Sequence, residues 1–282
     1  MALPVLRVGL IGNGTVGSAF ATALDANQER LAQRLGARLR LTQVAVRHPD
    51  RHRGTLAGVR IHDDAESLAN DASVDLVVEA SGSPDAATWL RRAIARGAAA
   101  VSANKQAIAG DRVLLQALAD RHPLLHCEAA VAAALPIVRA LRDSLDGEEI
   151  HNVRGVLNGT TTYILTQIER GARFRDALLL AQEHGYAEAD AEADLSGRDA
   201  AAKLAILATL AWRRPITVHD VDTKGINGNI VDVVRVAREH GSRVRLVAEA
   251  WADDTLHLRV EPKILHPHDV LARAENVVNV VE

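Results

Sequence analysis

The stretch "GLIGNGTVGSAF", residues 9–20, decides how the first half of the chain folds. An apolar, β-branched run, "VLRVGLIG" (5–12), leads into it. "TVGSAFATALDANQERLAQRLG" (15–36) leaves it with helical periodicity and ends on a glycine suited to a C-cap. The reading is strand, glycine turn, helix. The glycines fall in the pattern G-x-G-x-x-G: Gly12 makes the tight turn, Gly14 lets a pyrophosphate approach the backbone, and Gly17 lets the helix pack closely. Glycines at such turns also serve packing alone. The position directly after the first strand, opening a helix whose N-terminal N–H groups attract a phosphate, favours dinucleotide binding.

Outward from this turn the alternation continues. "LRLTQVAV" (39–46) and "VDLVVEA" (74–80) read as strands, "AATWLRRAIARG" (86–97) as a helix, "AAAVSAN" (98–104) as a strand, "RVLLQALADRH" (112–122) as a helix and "PLLHCEAAV" (123–131) as a strand. Strands alternating with helices predict βαβ units and a mainly parallel sheet. Near residue 150 the texture changes. After a strand in "IHNVRGVLNG" (150–159) come helical stretches at 161–171, 174–185 and 197–212. "ITVHDVD" (216–222), "RVRLVAEAWAD" (243–253) and "TLHLRVEPKIL" (255–265) have the period of an antiparallel sheet packed on one side. The expected architecture is α/β, with a Rossmann-type dinucleotide-binding domain over 1–136 and an α+β substrate and dimerisation domain over 137–282.

Composition narrows the function. The chain has 282 residues, enough for about two domains, and its 48% hydrophobic and 24% charged content is that of a globular protein. Aromatic residues at 2% and a net charge of -3 argue against a nucleic-acid reader, which needs stacking platforms and a basic footprint. A single cysteine, Cys127, excludes an internal disulfide and a thiolate-rich metal site. No long apolar run or basic leader is present, so the expected location is the cytoplasm, away from any membrane.

At the end of the second strand, where NAD binders place an acidic residue on the ribose, this chain has "VAVRHPDRHR" (44–53). Arg47, with Arg51 and Arg53, suits a 2′-phosphate, so NADP is expected with NAD as the alternative. A solvated basic loop is the other use of these residues, and Asp50 weakens the case.

Taken in order, "GNGTVG" (12–17), "VVEASGSPDAA" (77–87), "VSANKQAIAG" (101–110), "CEAAVAAALPIVRALRDSL" (127–145), "GVLNGTTTYIL" (155–165) and "AQEHGYAEADAEADLSGRDAAAKLAILATLAW" (181–212) resemble homoserine dehydrogenase. The resemblance is most specific from Asn158 to Ala211. It implies interconversion of L-homoserine and L-aspartate 4-semialdehyde with a nicotinamide cofactor, a step toward threonine and methionine, by a homodimer paired through the second domain's sheet.

Oxidising a primary alcohol by hydride transfer needs a group that takes the hydroxyl proton, and the reverse reaction needs it returned. A lysine does this if burial or a second cation lowers its pKa from ~10.4. The candidates are Lys105, after a strand, and Lys203, in the alanine-rich helix. By resemblance Lys203 is the general acid/base, and Lys105 is its partner beside cofactor and substrate. Asp199, four residues before Lys203, shares its helix face and would orient the ammonium. A surface i,i+4 ion pair is the common alternative, but the apolar surroundings "AAAKLAILA" (200–208) favour a buried, functional Lys203, whereas spacing leaves Lys105 equally a solvated strand-end lysine. The acidic run 185–199 reads as a solvated loop, but the resemblance singles out Glu188 and Asp194 for the substrate's polar groups, leaving Asp190 and Glu192 in solvent. It adds Asn13, Thr15, Val16 and Ser81 to Gly12, Gly14, Gly17, Arg47 and Lys105 on the cofactor. It also implies a monovalent cation (Na or K) on Glu128, Val131, Ala133 and Leu135.

Two departures from the family pattern stand out. Ala132, Ala133 and Ala134 occupy a stretch where the family has glycines, and a methyl group there would obstruct positive φ or a close approach of substrate. Thr162 also stands where asparagine is common. The family pattern continues beyond "ENVVNVVE" (275–282) with a glycine-rich segment and a last helix. Preserved lysines therefore favour an enzyme, and the alanines favour a catalytically silent nucleotide-binding relative acting as a sensor or assembly partner. A dehydrogenase for another small amino-acid aldehyde is the third reading.

Overall fold

The structure, a computed structural model, describes residues 3–52, 56 and 58–282. The chain divides into two compact units, Met1–Ala130 and Val131–Glu282.

In the first unit the strands β1 (Val5–Ile11), β2 (Arg38–Ala45), β3 (Arg60–His62), β4 (Leu76–Glu79), β5 (Ala99–Ser102) and β6 (Leu125–His126) form one parallel sheet in the order β3-β2-β1-β4-β5-β6. Between them run α1 (Thr15–Ala26), α2 (Gln28–Leu35), α3 (Ala65–Asn70), α4 (Ala86–Ala95), α5 (Lys105–Ala109) and α6 (Arg112–Ala119). The C-terminal halves of β1 and β2 and nearly all of β4 are buried and largely apolar, as expected of a parallel sheet flanked by helices. Val8, Leu10, Val44 and Val78 pack with Ala21 and Leu24 of α1 in one aliphatic cluster, with Phe20 packed against its edge. The strand order reverses between β1 and β4, and the crevice beyond their C-terminal ends is where such sheets bind ligands.

The helix expected over 15–36 is two helices. Asn27 interrupts it with φ -113° and ψ 14°, its side-chain nitrogen donating back to the Ala23 carbonyl in competition with the helix ladder. Gly36 closes the second at φ +66°, the left-handed cap read from the sequence.

The second unit opens with a short α7 (Ile137–Arg139) that continues as a π-turn, Ala140–Ser144. Then follow β7 (Asn152–Val156), α8 (Gly159–Glu169), α9 (Phe174–Glu183), α10 (Glu192–Leu195), α11 (Arg198–Trp212), β8 (Asp222–Thr223), α12 (Ile230–Glu239), β9 (Arg243–Ala252), β10 (Leu256–Leu265) and β11 (Val280–Val281). The sheet order is β11-β7-β9-β10-β8, and α8, α11 and α12 pack on β9. The hairpin β9–β10 runs in unbroken register from Leu256 opposite Ala252 to Leu265 opposite Arg243, as its period-2 pattern predicts.

The stretch "ITVHDVD" departs from its strand-like pattern. Thr217 and Asp220 form a capping box that winds Val218–Asp220 into a 3₁₀ turn, and Asp222–Thr223 pairs with β10 in parallel rather than antiparallel fashion. Local side-chain hydrogen bonds here outweigh apolar alternation.

Candidate active site

The glycine turn shows three different uses of a missing side chain. Gly12 has φ +89°, and a Cβ there would lie 2.6 Å from the Ser81 Cα, so the turn after β1 presses directly on the turn after β4. At Gly17 a Cβ would stand 2.0 Å from the Gly12 carbonyl oxygen, inside the packing of α1 on the turn. Beside Gly14 no atom of the described residues lies within 4 Å of the position a Cβ would take. The first two glycines are required by the fold, whereas the third borders open space. Helix α1 has no side-chain N-cap and no acidic residue in its first turn, so its leading N–H groups remain suited to an anion.

This turn opens on a cavity of about 950 Å³ lined by Gly12, Asn13, Gly14, Arg47, His48, Arg51, His52 and Ser81. The volume is that of a cofactor-sized site. Asn13 donates to His52 Nδ1 at 3.2 Å, which ties the glycine turn to the 3₁₀ turn Pro49–His52 after β2. Its Oδ1 is buried without a partner among the described residues, as expected of an acceptor awaiting a ligand's donor. Arg47 and Arg51 stand at the β2 end of the cavity, and Arg53 lies outside the described residues. Thr15 and Val16 are exposed on the first turn of α1. Lys105 is half-buried and opens α5, whose N-terminus Asn104 caps by accepting from the Ala107 N–H.

In the second unit the chemistry gathers around α11. Eleven of its fifteen residues are buried, so the helix is apolar on nearly every side. Lys203 interrupts that surface with its side chain only 16% exposed. Its ammonium donates to Asp199 Oδ2 at 2.8 Å and to the Leu157 carbonyl at 2.7 Å. The i,i+4 spacing therefore gives a shielded pair rather than a surface one.

Asn158 completes the arrangement. Its Nδ2 donates to Asp194 Oδ1 at 2.6 Å and to Asp199 Oδ2 at 2.8 Å, so one amide group bridges two carboxylates. Its Oδ1 accepts from the Thr161 N–H at 2.8 Å, capping α8. Burial pushes the Asp194 carboxyl above the ordinary carboxylate range, against the hydrogen bond from Asn158, and the neighbouring Asp199 charge adds to the rise. In the sequence Asn158 marks only the start of the most specific part of the resemblance. An asparagine immediately before a helical run is an N-cap signal, but nothing in the spacing shows that its second function is to join residues 194 and 199.

Thus Asn158, Asp194, Asp199 and Lys203 come together. Glu188 does not share these contacts: it is exposed on the loop after α9, where its backbone carbonyl accepts from Gln182 Nε2 at 3.2 Å. On the same loop Tyr186 stacks against His184, with ring centroids 5.7 Å apart, and its carbonyl accepts from Thr160 Oγ1. Of the expected cation ligands, Glu128 is half-buried in the first unit. Val131, Ala133 and Leu135 belong to the second unit, with Val131 buried and Leu135 exposed. Ala132 and Ala133 have φ of +55° and +50°. The backbone thus takes the left-handed conformation that the alanines were expected to resist.

Comparison with known proteins bears on both units. A family model described as "Homoserine dehydrogenase, NAD binding domain" matches residues 12–132, and one described as "Homoserine dehydrogenase" matches residues 136–282. The homoserine dehydrogenase of Helicobacter pylori is 37% identical over 279 residues, covering 98% of this chain and 66% of the relative. A crystal structure of a homoserine dehydrogenase from Thiobacillus denitrificans superposes with a TM-score of 0.88 at 33% identity, covering 98% of this chain and 65% of the other. For the S. aureus enzyme the TM-score is 0.83 at 29% identity, with 99% and 71% covered. The chain therefore spans just under two thirds of the length of the first two relatives. No helix among the described residues is long and apolar enough to cross a membrane. With both units matched in order, one over the nucleotide-binding turn and the other over the shielded lysine and its carboxylates, the chain belongs to the homoserine dehydrogenase family.

Proposed function

We propose that the chain is a cytoplasmic, NADP-preferring homoserine dehydrogenase interconverting L-homoserine and L-aspartate 4-semialdehyde. The observation that carries this reading is Lys203, held on a buried helix by Asp199 and the Leu157 carbonyl. An ammonium has three N–H donors, and two are engaged in fixing its direction. The third meets the substrate oxygen: Lys203 Nζ gives a proton to the forming alcohol in reduction and takes one from it in oxidation. Asp194 and Glu188 supply carboxylates to the substrate's ammonium, and Asp199 orients Lys203.

The first unit fits a nicotinamide dinucleotide. The space beside Gly14, the uncapped start of α1 and the Asn13 Oδ1, which has no partner among the described residues, suit a pyrophosphate and its ribose. Arg47 and Arg51 support the 2′-phosphate form, since a guanidinium pairs with phosphate in bidentate geometry. When bound, the nicotinamide accepts or returns the hydride. Lys105 is assigned to the edge of this site as the second lysine. The monovalent cation on Glu128, Val131, Ala133 and Leu135, and the pairing of two copies through the second unit's sheet, belong to the same reading. Sedimentation of the purified protein tests the dimer.

One observation favours a second reading. The left-handed Ala132 and Ala133 place methyl groups on a turn that glycine would suit better, which favours a silent nucleotide-binding relative. A substrate panel separates the readings: L-homoserine and other small amino alcohols, each with NADP⁺ or NAD⁺, followed by absorbance of the reduced nicotinamide. The proposal expects reduction that is fastest with homoserine and NADP⁺. Cofactor binding without reduction of either form selects the silent relative, and a different preferred alcohol selects another dehydrogenase.

A further inference from the structure

The C-terminal end of β4 carries a carboxylate that the proposed chemistry does not use. Glu79 is wholly buried. Its Oε1 accepts from the Ser81 N–H at 2.8 Å and the Ser81 hydroxyl at 2.7 Å, and its Oε2 accepts from the Ser102 hydroxyl at 2.6 Å. Those two serines belong to different turns. The Ser83 N–H donates to Ser81 Oγ at 3.1 Å, and the Asn104 N–H donates to Ser102 Oγ at 3.0 Å. Asn104 Nδ2 then donates to the Ser83 carbonyl at 3.1 Å, closing a hydrogen-bonded ring through Glu79, Ser81, Ser83, Asn104 and Ser102.

The ring ties together two elements of the nucleotide crevice. On one side, Ser81 and Ser83 line the cavity, and the Ser81 backbone is the surface on which Gly12 packs. On the other, Asn104 caps α5 and so sets where that helix, and Lys105 at its start, begins. We propose that Glu79 is a positioning residue of the dinucleotide site, holding the turn after β4 and the start of α5 in one arrangement against the glycine turn. All three of its contacts are donors, so the site calls for a side chain that only accepts. Glutamine has the same size but turns an NH₂ group toward one of them, and a serine hydroxyl facing that group loses the acceptor for its own hydrogen. A half-satisfied buried network loses more than one contact, because each remaining bond depends on its neighbours' geometry.

The proposal rests on the nucleotide-binding reading of the first unit, so its test starts with the unaltered protein. NADPH is titrated into the full chain, Glu79→Gln, Ser102→Ala and the double variant, by nicotinamide fluorescence, with thermal melting in parallel. Expected is tight binding by the parent and a Kd raised roughly tenfold or more by Glu79→Gln. Ser102→Ala gives a smaller rise in the same direction, and the double variant is no weaker than Glu79→Gln alone, as members of one network are not additive. Parent-like Kd values in Glu79→Gln and Ser102→Ala, or melting loss alone with unchanged Kd, overturn the proposal. If Glu79→Gln does not fold, Ser102→Ala decides it. A parent that binds no nicotinamide nucleotide overturns the underlying reading and the proposal with it.

Discussion

Asp194 and Asp199 sit close enough to share one hydrogen-bond donor group, and Asn158 supplies it. The same residue caps α8 through its other atom. Asn158→Asp separates the two roles, because aspartate keeps the capping oxygen and replaces the bridging donor with a third acceptor. The prediction is a kcat lowered by roughly tenfold or more, with helix content unchanged by circular dichroism. A variant of normal turnover would remove Asn158 from the site. Asp194 permits a pH test. Its carboxyl is held above the usual range by burial, so it protonates on acidification earlier than an ordinary aspartate. If Asp194 holds the substrate's ammonium as proposed, kcat/KM for homoserine should decline as pH falls through that raised value, along a limb that Asp194→Asn removes. The sign for stability is opposite. A raised native pKa means that folding is favoured more at low pH and less as pH rises through it, so Asp194→Asn should raise Tm at pH 7 relative to the parent. A variant that keeps the acidic limb would contradict the assignment.

At the scale of elements, the glycine turn gives a paired prediction. Gly17→Ala places a methyl group 2.0 Å from the Gly12 carbonyl and should cost stability outright, whereas Gly14→Ala meets open space and should melt like the parent. Only Gly14→Ala is expected to fold well and bind the dinucleotide poorly, as read by melting and titration together. The junction before α7 gives another. Ala133 is exposed at φ +50°, so Ala133→Gly removes a left-handed methyl group without leaving a cavity and should stabilise by about 1 kcal/mol in denaturant unfolding. Destabilisation would show that the strain is absent. These elements were unequally legible in the sequence. The strand, glycine turn and helix at residues 5–26 were readable because the glycine spacing and the change of hydrophobic period are local, although the contact that requires Gly12, with Ser81, is not. The break at Asn27 and the 3₁₀ turn at Val218–Asp220 were not, because short side-chain-to-backbone bonds decide them and hydrophobic periodicity carries no record of those.

For the whole molecule, the alternation of strands and helices followed by a helix-rich region indicates a parallel sheet and a second unit of different construction, and both are present. The sheet orders were not written in the pattern, since which strands neighbour each other depends on crossovers rather than on any one segment. The same holds for function. Lys203 and Asp199 were legible together because helical spacing is local, whereas Asn158 and Glu79 act through residues brought near only by the fold. The proposed function turns on Lys203 as the group that exchanges a proton with the alcohol oxygen in a nicotinamide-dependent oxidation. Its most direct measurement is homoserine-dependent reduction of NADP⁺ by the parent and by Lys203→Ala, with cofactor titration of both. Expected are turnover by the parent, a loss of roughly a hundredfold or more in the variant, and equal cofactor binding by the two. Turnover preserved in Lys203→Ala would contradict it.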